Sequence, residues 1–73
     1  MKLIDLQRRG DSPRCEELLD RLQAELGVRD RVRWNDTGHA RIALGAERDD
    51  AREAIAARLS ALDEGWGEHI AIL

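Results

Sequence analysis

The chain has 73 residues and a formal net charge of −3. A chain of this length predicts one domain, residues 1–73, that buries only about 60% of its unfolded surface. With 42% hydrophobic and 37% charged residues, the composition favours a thin core beneath a charged surface over a disordered chain. The acidic balance argues against a nucleic acid as partner, because binding a phosphate backbone requires an excess of lysine and arginine.

The cysteine count and the apolar pattern predict the cellular location. The single cysteine, Cys15, has no partner for an internal disulfide, which favours a reducing compartment. No apolar run reaches the roughly 20 residues of a membrane span, and residues 1–5 lack the apolar stretch of a signal peptide. We therefore expect a soluble cytoplasmic protein with no membrane partner.

The first part of the chain predicts a strand followed by a helix. Apolar and polar side chains alternate over residues 1–7, which indicates a short strand with two core-facing residues, Ile4 and Leu6. Ser12 is typical of a helix N-cap, Pro13 suits the first helical position, and Gly27 suits the left-handed residue that ends a helix. The core-facing residues of this helix, expected over about 13–26, are Cys15, Leu18, Leu19, Leu22 and Leu26.

Residues 31–44 predict a β-hairpin. Apolar residues alternate with arginines over residues 31–34, and apolar residues alternate again with other side chains over 39–44. Between them, residues 35–38 have the sequence of a turn. The core-facing residues of the two strands are Val32, Trp34, Ala40, Ile42 and Leu44.

A second helix and a final strand are expected after residue 45. Asp49 and Asp50 suit the helix N-terminus, and Asp50 with Glu53 has the spacing of an acidic capping box. The apolar residues expected to face the core are Ala51, Ile55, Leu59 and Leu62. The arginines expected to face water are Arg48, Arg52 and Arg58. Residues 65–67 end the helix, and the last strand is marked by Ile70 and Ile72.

The predicted order of elements is β-α-β-β-α-β, which is the order of the two split β-α-β units of a ferredoxin-like fold. We therefore expect an α+β sandwich with a four-stranded antiparallel sheet in the strand order 4-1-3-2. Both helices are expected on one face of this sheet.

A cysteine-bearing loop, residues 10–16, lies between the first strand and the first helix. In topology and length the chain resembles the heavy-metal-associated domain family. The resemblance implies the ferredoxin-like fold and, where that family carries a Cys-x-x-Cys pair, the binding of a soft cation such as Cu(I). Here Ser12 stands three residues before Cys15, and soft cations require at least two sulfur ligands. We therefore expect no bound metal and no cofactor.

The open face, the side of the sheet away from the helices, is expected to carry three rows of side chains. The first row is apolar and contains Leu73, Leu3 and Ala43. The second row places Asp5 beside Arg41. The third row contains both histidines, His39 and His69, with a glutamine between them.

Cys15, His39 and His69 are candidate ligands or nucleophiles. Cys15 lies in the expected first turn of the helix, where free N–H groups favour a thiolate. It also lies on the apolar face, where a free cysteine is usually a core side chain. The histidines are expected about 10 Å apart, too far for shared coordination of zinc without a third ligand. No catalytic triad, carboxylate pair or glycine-rich phosphate loop can be assembled, so we do not expect an enzyme.

More than one class of function remains open. Trp66 lies in a glycine-flanked loop, where it either covers the core or presents an anchor to a partner. An apolar group beside a sheet edge favours a non-catalytic adaptor module that binds a protein partner or a second copy. Its candidate contact residues are Leu3, Ala43, Leu73, Arg41 and Trp66. The alternatives are a metal- or thiol-handling protein that uses Cys15 with His39 or His69, and a small inhibitor of a larger complex.

Overall fold

A computed structural model describes residues 2–45 and 50–73. It shows an α+β architecture in which an antiparallel sheet is covered by two helices. The elements, in chain order, are β1 (Lys2–Arg8), α1 (Pro13–Leu26), β2 (His39–Leu44), α2 (Ala51–Leu62), a 3₁₀ turn (Trp66–Glu68) and β3 (Ile70–Ile72).

The sheet has three strands in the order β2-β1-β3. Strand β1 is central and pairs antiparallel with both neighbours. Alternate side chains of each strand point to one face of the sheet. Ile4 and Leu6 face the helices, together with their respective partners on β2, Ile42 and Ala40. These residues form the core with apolar side chains of the helices and of β3, namely Leu18, Leu19, Leu22, Ala51, Ile55, Leu59 and Ile70.

The expectation of a four-stranded sheet in the order 4-1-3-2 is wrong. Residues 31–35, which we call the edge segment, form no strand. Their main-chain pairing with β2 is limited to one bond, from Asn35 N–H to the carbonyl of His39 at 2.9 Å. Val32 and Trp34 still pack against the core, as the alternation predicts.

Helix α1 holds the edge segment through its side chains and main chain. Gln23 is fully buried on α1 and binds Val32 at two points. Its Oε1 accepts from the Val32 N–H at 2.7 Å, and its Nε2 donates to the Val32 carbonyl at 2.9 Å. Trp34 Nε1 donates to the carbonyl of Cys15 in the first turn of α1 at 3.1 Å.

Charge also opposes a fourth strand. Continuing the ladder from the Asn35–His39 bond would set Arg33 directly opposite Arg41, and like charges in a cross-strand pair are destabilising. This repulsion is one reason why an alternating sequence does not complete the sheet. The bonds from Gln23 hold the edge segment against α1, and in this register they use Val32 groups that point away from β2.

The predicted limits of α1 are confirmed. Ser12 Oγ accepts from the Arg14 N–H at 3.1 Å, Pro13 begins the helix, and Gly27 ends it with φ of 65°. A side chain with a Cβ is strained at this left-handed φ, whereas glycine adopts it freely.

Helix α2 confirms three of the four predicted core residues, Ala51, Ile55 and Leu59, whereas Leu62 is only partly buried. The helix starts at Ala51 with Asp50 as N-cap, and Asp50 makes no capping hydrogen bond through its side chain, so the capping box is wrong. Arg52 is exposed as expected, whereas Arg58 is half-buried. The predicted roles of Asp49 and Arg48 lie outside the described residues. In the part of the chain that the structure describes, no helix combines the length and apolarity needed to cross a bilayer.

A charged contact joins the start of α1 to the end of α2. Arg14 Nε donates to Asp63 Oδ2 at 2.9 Å, and the other carboxylate oxygen accepts from the Gly65 N–H at 2.8 Å. Arg14 also pairs with Glu17 on its own helix. The Arg14 guanidinium, followed by the Gly65 N–H, lowers the pKa of Asp63 below its ordinary value.

Replacing Gln23 with alanine is predicted to lower the free energy of unfolding by about 1 to 3 kcal/mol, because the main-chain groups of Val32 lose their partners in a half-buried place. Urea unfolding followed by circular dichroism measures this change. The matched control is Glu25→Ala, at an exposed position of the same helix, with an expected change within about 0.5 kcal/mol. Equal stability of the two variants would show that Gln23 does not anchor the edge segment.

The lowered pKa of Asp63 makes its contribution to stability depend on pH. Its carboxylate stabilises the folded chain above the ordinary carboxyl pKa of about 4, and this contribution is lost as the pH falls through the lower folded pKa. Asp63→Asn is therefore expected to lower the melting temperature at neutral pH and to have little effect near pH 2. Asp20→Asn, an exposed change on α1, serves as control. An Asp63→Asn effect of the same size at both pH values would contradict this role.

Candidate partner-binding surface

The open face carries the predicted pairing between β1 and β2. Leu3 lies opposite Ala43, Asp5 opposite Arg41, and a glutamine opposite a histidine in the next row, Gln7 and His39. Because their neighbours in sequence are the buried core residues, these side chains point away from the helices. The expected order of apolar, charged and polar rows is confirmed for these two strands.

Strand β3 is displaced by two residues from its expected register. Ala71 lies opposite Gln7, and the N–H of Leu73 donates to the carbonyl of Asp5 at 2.9 Å. Leu73 therefore lies beside Asp5, whereas the sequence predicts a position beside Leu3. A diagonal neighbour in a sheet lies about 7–8 Å away, within reach of leucine side chains.

Leu3 and Leu73 are the large hydrophobic residues most exposed in the described chain, with 53% and 50% of their surfaces accessible. Ala43 is exposed beside Leu3. We call these three residues the apolar patch. Single exposed leucines are common on protein surfaces. Two on the same face of a small sheet, diagonal to each other and with Ala43 opposite Leu3, form an apolar group that another chain can cover.

Asp5 forms the charged contacts next to the apolar patch. Its Oδ1 accepts from Arg41 Nε at 2.7 Å and lies 3.2 Å from His39 Nε2. The Arg41 guanidinium is the main reason that the pKa of Asp5 lies below its ordinary value, with a smaller effect of His39. The carboxylate is therefore ionised and already paired before any partner approaches.

The outer edge of β2 carries main-chain groups that take no part in the pairing with β1. Even-numbered residues of β2 direct their N–H and carbonyl groups to β1, as shown by the related bond from Arg8 N–H to Gly38 O at 2.6 Å. The main-chain N–H and carbonyl groups of His39 point away from β1, and both are hydrogen-bonded to Asn35. The main-chain groups of Arg41 and Ala43 also point away from β1, and within residues 2–45 and 50–73 they form no hydrogen bond. We call these groups the β2 edge.

The β2 edge was not foreseen from the sequence, because the hairpin was expected to cover it. One feature of the sequence argues against the fourth strand. The alternation that predicts this strand also places Arg33 opposite Arg41, and like charges in a cross-strand pair are destabilising. Arg31 and Arg33 are both exposed, and in the described chain neither forms an ion pair within 4.0 Å. Arg33 also lines a shallow cavity of about 90 Å³ with Glu16 and Asp20.

Cys15 lies inside the core and not at a surface site. It is fully buried, and its sulfur lies 3.6 Å from the carbonyl oxygens of Arg9 and His69. A thiol has one proton, so it donates to one of these carbonyls at a time. The position matches the apolar stripe of α1 that the sequence predicts.

The two histidines occupy different surroundings. His39 contacts Asp5 on the open face, whereas His69 precedes β3, and its carbonyl accepts from the Arg9 N–H at 2.8 Å. The displaced register therefore removes His69 from the row of Gln7, where it was expected. Within the described residues, no three His, Cys, Asp or Glu side chains are grouped to hold a metal ion.

Trp66 belongs to the helical layer. Its ring packs against the core, and its Nε1 donates to Ser60 Oγ on α2 at 2.9 Å. A half-buried tryptophan with its N–H satisfied inside the same chain closes the end of the core. The structure therefore does not bring Trp66 together with the apolar patch.

The chain matches no protein-family model, and comparison with curated proteins and with solved structures yields no significant match. The resemblance to the heavy-metal-associated domain family therefore stays a prediction from the order of elements.

Cys15 is predicted to react slowly with a thiol reagent in the folded protein, because complete burial keeps the reagent from the sulfur. The rate of labelling by dithiobis-nitrobenzoate at neutral pH is expected to rise at least about 100-fold in denaturant. An Arg9→Cys variant, labelled at the exposed residue that follows β1, supplies the rate of an accessible thiol. Native Cys15 labelling as fast as this control would contradict the burial.

Proposed function

We propose that this protein is a non-catalytic binding module that contacts another protein through the apolar patch. The observation that carries the proposal is the exposure of Leu3 and Leu73 on the same side of the sheet, beside a strand edge. Neither leucine is needed to fill the core, since the buried side chains lie on the opposite face. Covering them with another chain removes apolar surface from water.

The charged row next to the patch supports the same proposal. Burying an unpaired charge is costly, but Asp5 already has Arg41 and His39 as partners. A protein that covers this row therefore meets a group with most of its charge compensated. Arg41 retains guanidinium N–H groups for a contact at the rim, since its side chain is 56% exposed.

The burial of Cys15 counts against the thiol- or metal-handling alternative. Its sulfur faces main-chain carbonyls inside the core, away from His39 on the open face. A small inhibitor of a larger complex would use the same apolar patch, so it is a special case of a binding module. Trp66 takes no direct part in this proposal, because it packs on the helical side.

Leu3→Asp and Leu73→Asp are each expected to abolish binding of the partner protein to the chain, because burying a carboxylate in the apolar patch is costly. The measurement compares proteins retained from a lysate of the source organism by immobilised wild-type chain and by each variant. Size-exclusion chromatography with light scattering measures self-association of the same proteins. Circular dichroism of each variant is expected to match the wild type, since these side chains lie outside the core.

The matched control for this experiment is Ala24→Asp, which places the same charge on an exposed position of α1. It is expected to capture the partner as the wild type does. Retention of the same partner by Leu3→Asp at wild-type yield would refute the role of the apolar patch.

A further inference from the structure

We infer that a second copy of this chain covers the apolar patch, so that two open faces pack against each other about a two-fold axis. This inference rests on the proposed function, because it names the chain that binds the patch. A two-fold contact brings the same surface of both copies together. The open face must therefore be complementary to itself in shape and in charge.

The first step concerns the net charge of the open face. Among the described residues of the three strands, Asp5 and Arg41 are the charged residues of this face, and their charges cancel. The other side chains of the face, with histidine counted as neutral, are Leu3, Gln7, His39, Ala43, Ala71 and Leu73. The rest of the chain therefore carries the whole net charge of −3. Two copies repel each other through their acidic sides and meet without net repulsion at the open face.

The second step concerns the direction of the two-fold axis. Strands of two sheets that pack face to face run within about 30° of each other. An axis along the strands, midway between β1 and β2, places β1 of each copy over β2 of the other. Each row of side chains then lies over the same row of the second copy. An axis across the strands at the charged row would place Asp5 over Asp5, which is repulsive.

The axis along the strands matches each row with a complementary one. Asp5 and Arg41 are paired across β1 and β2, so each lies over the opposite charge of the second copy. In the apolar row, Leu3 lies over Ala43 of the second copy. Leu73, on the outer strand β3, lies toward the outer side of β2 in the second copy. Apolar groups therefore meet apolar groups, and each carboxylate meets a guanidinium.

The third step concerns the hydrogen bonds that the charged pair can still form. Asp5 Oδ1 accepts from Arg41 Nε at 2.7 Å, whereas Asp5 Oδ2 lies 3.5 Å from Arg41 Nη2. The longer contact is at the limit of a hydrogen bond, so Oδ2 can accept a shorter one. The Arg41 side chain is 56% exposed and has further N–H groups to donate. Such added bonds between copies offset the lost hydration of a covered ion pair.

The size of the open face determines the expected affinity. The longest strand, β1, has seven residues. Three strands of this length form a face of roughly 350 Å², which is less than the about 800 Å² that each partner buries in a standard interface. We therefore expect a weak dimer, with a Kd of about 100 μM.

The experiment exchanges charges between the two copies. Asp5→Lys places an ammonium group over Arg41 of the second copy, and Arg41→Glu places a carboxylate over Asp5 of the second copy. Each variant alone therefore brings like charges together in its own dimer. An equal mixture of the two variants restores opposite charges at both positions. Analytical ultracentrifugation between about 10 μM and 1 mM measures the self-association of each sample.

The wild type is expected to form dimers over this range. Each variant alone is expected to associate at least about tenfold more weakly, because like charges then face each other. The mixture is expected to recover to within about threefold of the wild type. In NMR spectra of the ¹⁵N-labelled Asp5→Lys chain, addition of unlabelled Arg41→Glu chain is expected to shift the amides of Leu3 and Ala43 and to leave α1 unchanged.

The matched controls are Glu25→Lys and Arg21→Glu, which make the same changes of net charge at exposed positions of α1. Both are expected to associate within about twofold of the wild type. Circular dichroism checks the fold of every variant. If like charges within one chain unfold it, Asp5→Asn and Arg41→Gln replace the charge variants, and each is expected to weaken the dimer about threefold.

Two outcomes would overturn this inference. One is a wild-type chain that stays monomeric at about 1 mM. The other is a mixture of the charge variants that associates no better than either variant alone, because the charged rows then do not face each other. If capture from the lysate still depends on Leu3 in either case, the proposed function stands and a different protein covers the patch.

Discussion

The two-point hydrogen bond between Gln23 and Val32 is the interaction on which the architecture of this chain depends. A buried amide must find partners for its donors and its acceptor, because leaving them unpaired costs about 1–3 kcal/mol. Gln23 meets this need with the main chain of Val32 and with the carbonyl of Leu19 one turn earlier in α1. The same bonds satisfy the main chain of a segment that has no place in the sheet.

The edge segment meets β2 through Asn35, which bonds to the main chain of His39. Beyond this contact, the outward main-chain groups of Arg41 and Ala43 form no hydrogen bond within residues 2–45 and 50–73. The β2 edge continues into the open face, where Leu3 pairs with Ala43 and Asp5 with Arg41. An apolar patch and a paired charge therefore lie next to each other on the open face of a small domain. The proposed module uses these features together.

The sequence predicted the local elements well and the assembly only in part. Ser12, Pro13 and Gly27 define α1 through capping, which depends on neighbouring residues alone. The pairing of Leu3 with Ala43 also follows from alternation. The β3 register did not, because a three-residue strand carries too little alternation to define its position against β1. The role of Gln23 was not predicted either, because it is a polar residue whose partner lies nine positions away in the chain.

Amide hydrogen exchange along β2 distinguishes the three-stranded sheet from a four-stranded one. If no fourth strand pairs with β2, the N–H groups of Arg41 and Ala43 exchange at least about 100-fold faster than those of Ala40 and Ile42, which point to β1. The N–H of Val32, bound by Gln23, is expected to be protected in the same spectra. Equal protection of all four β2 amides would show that a fourth strand covers the edge and would contradict the account.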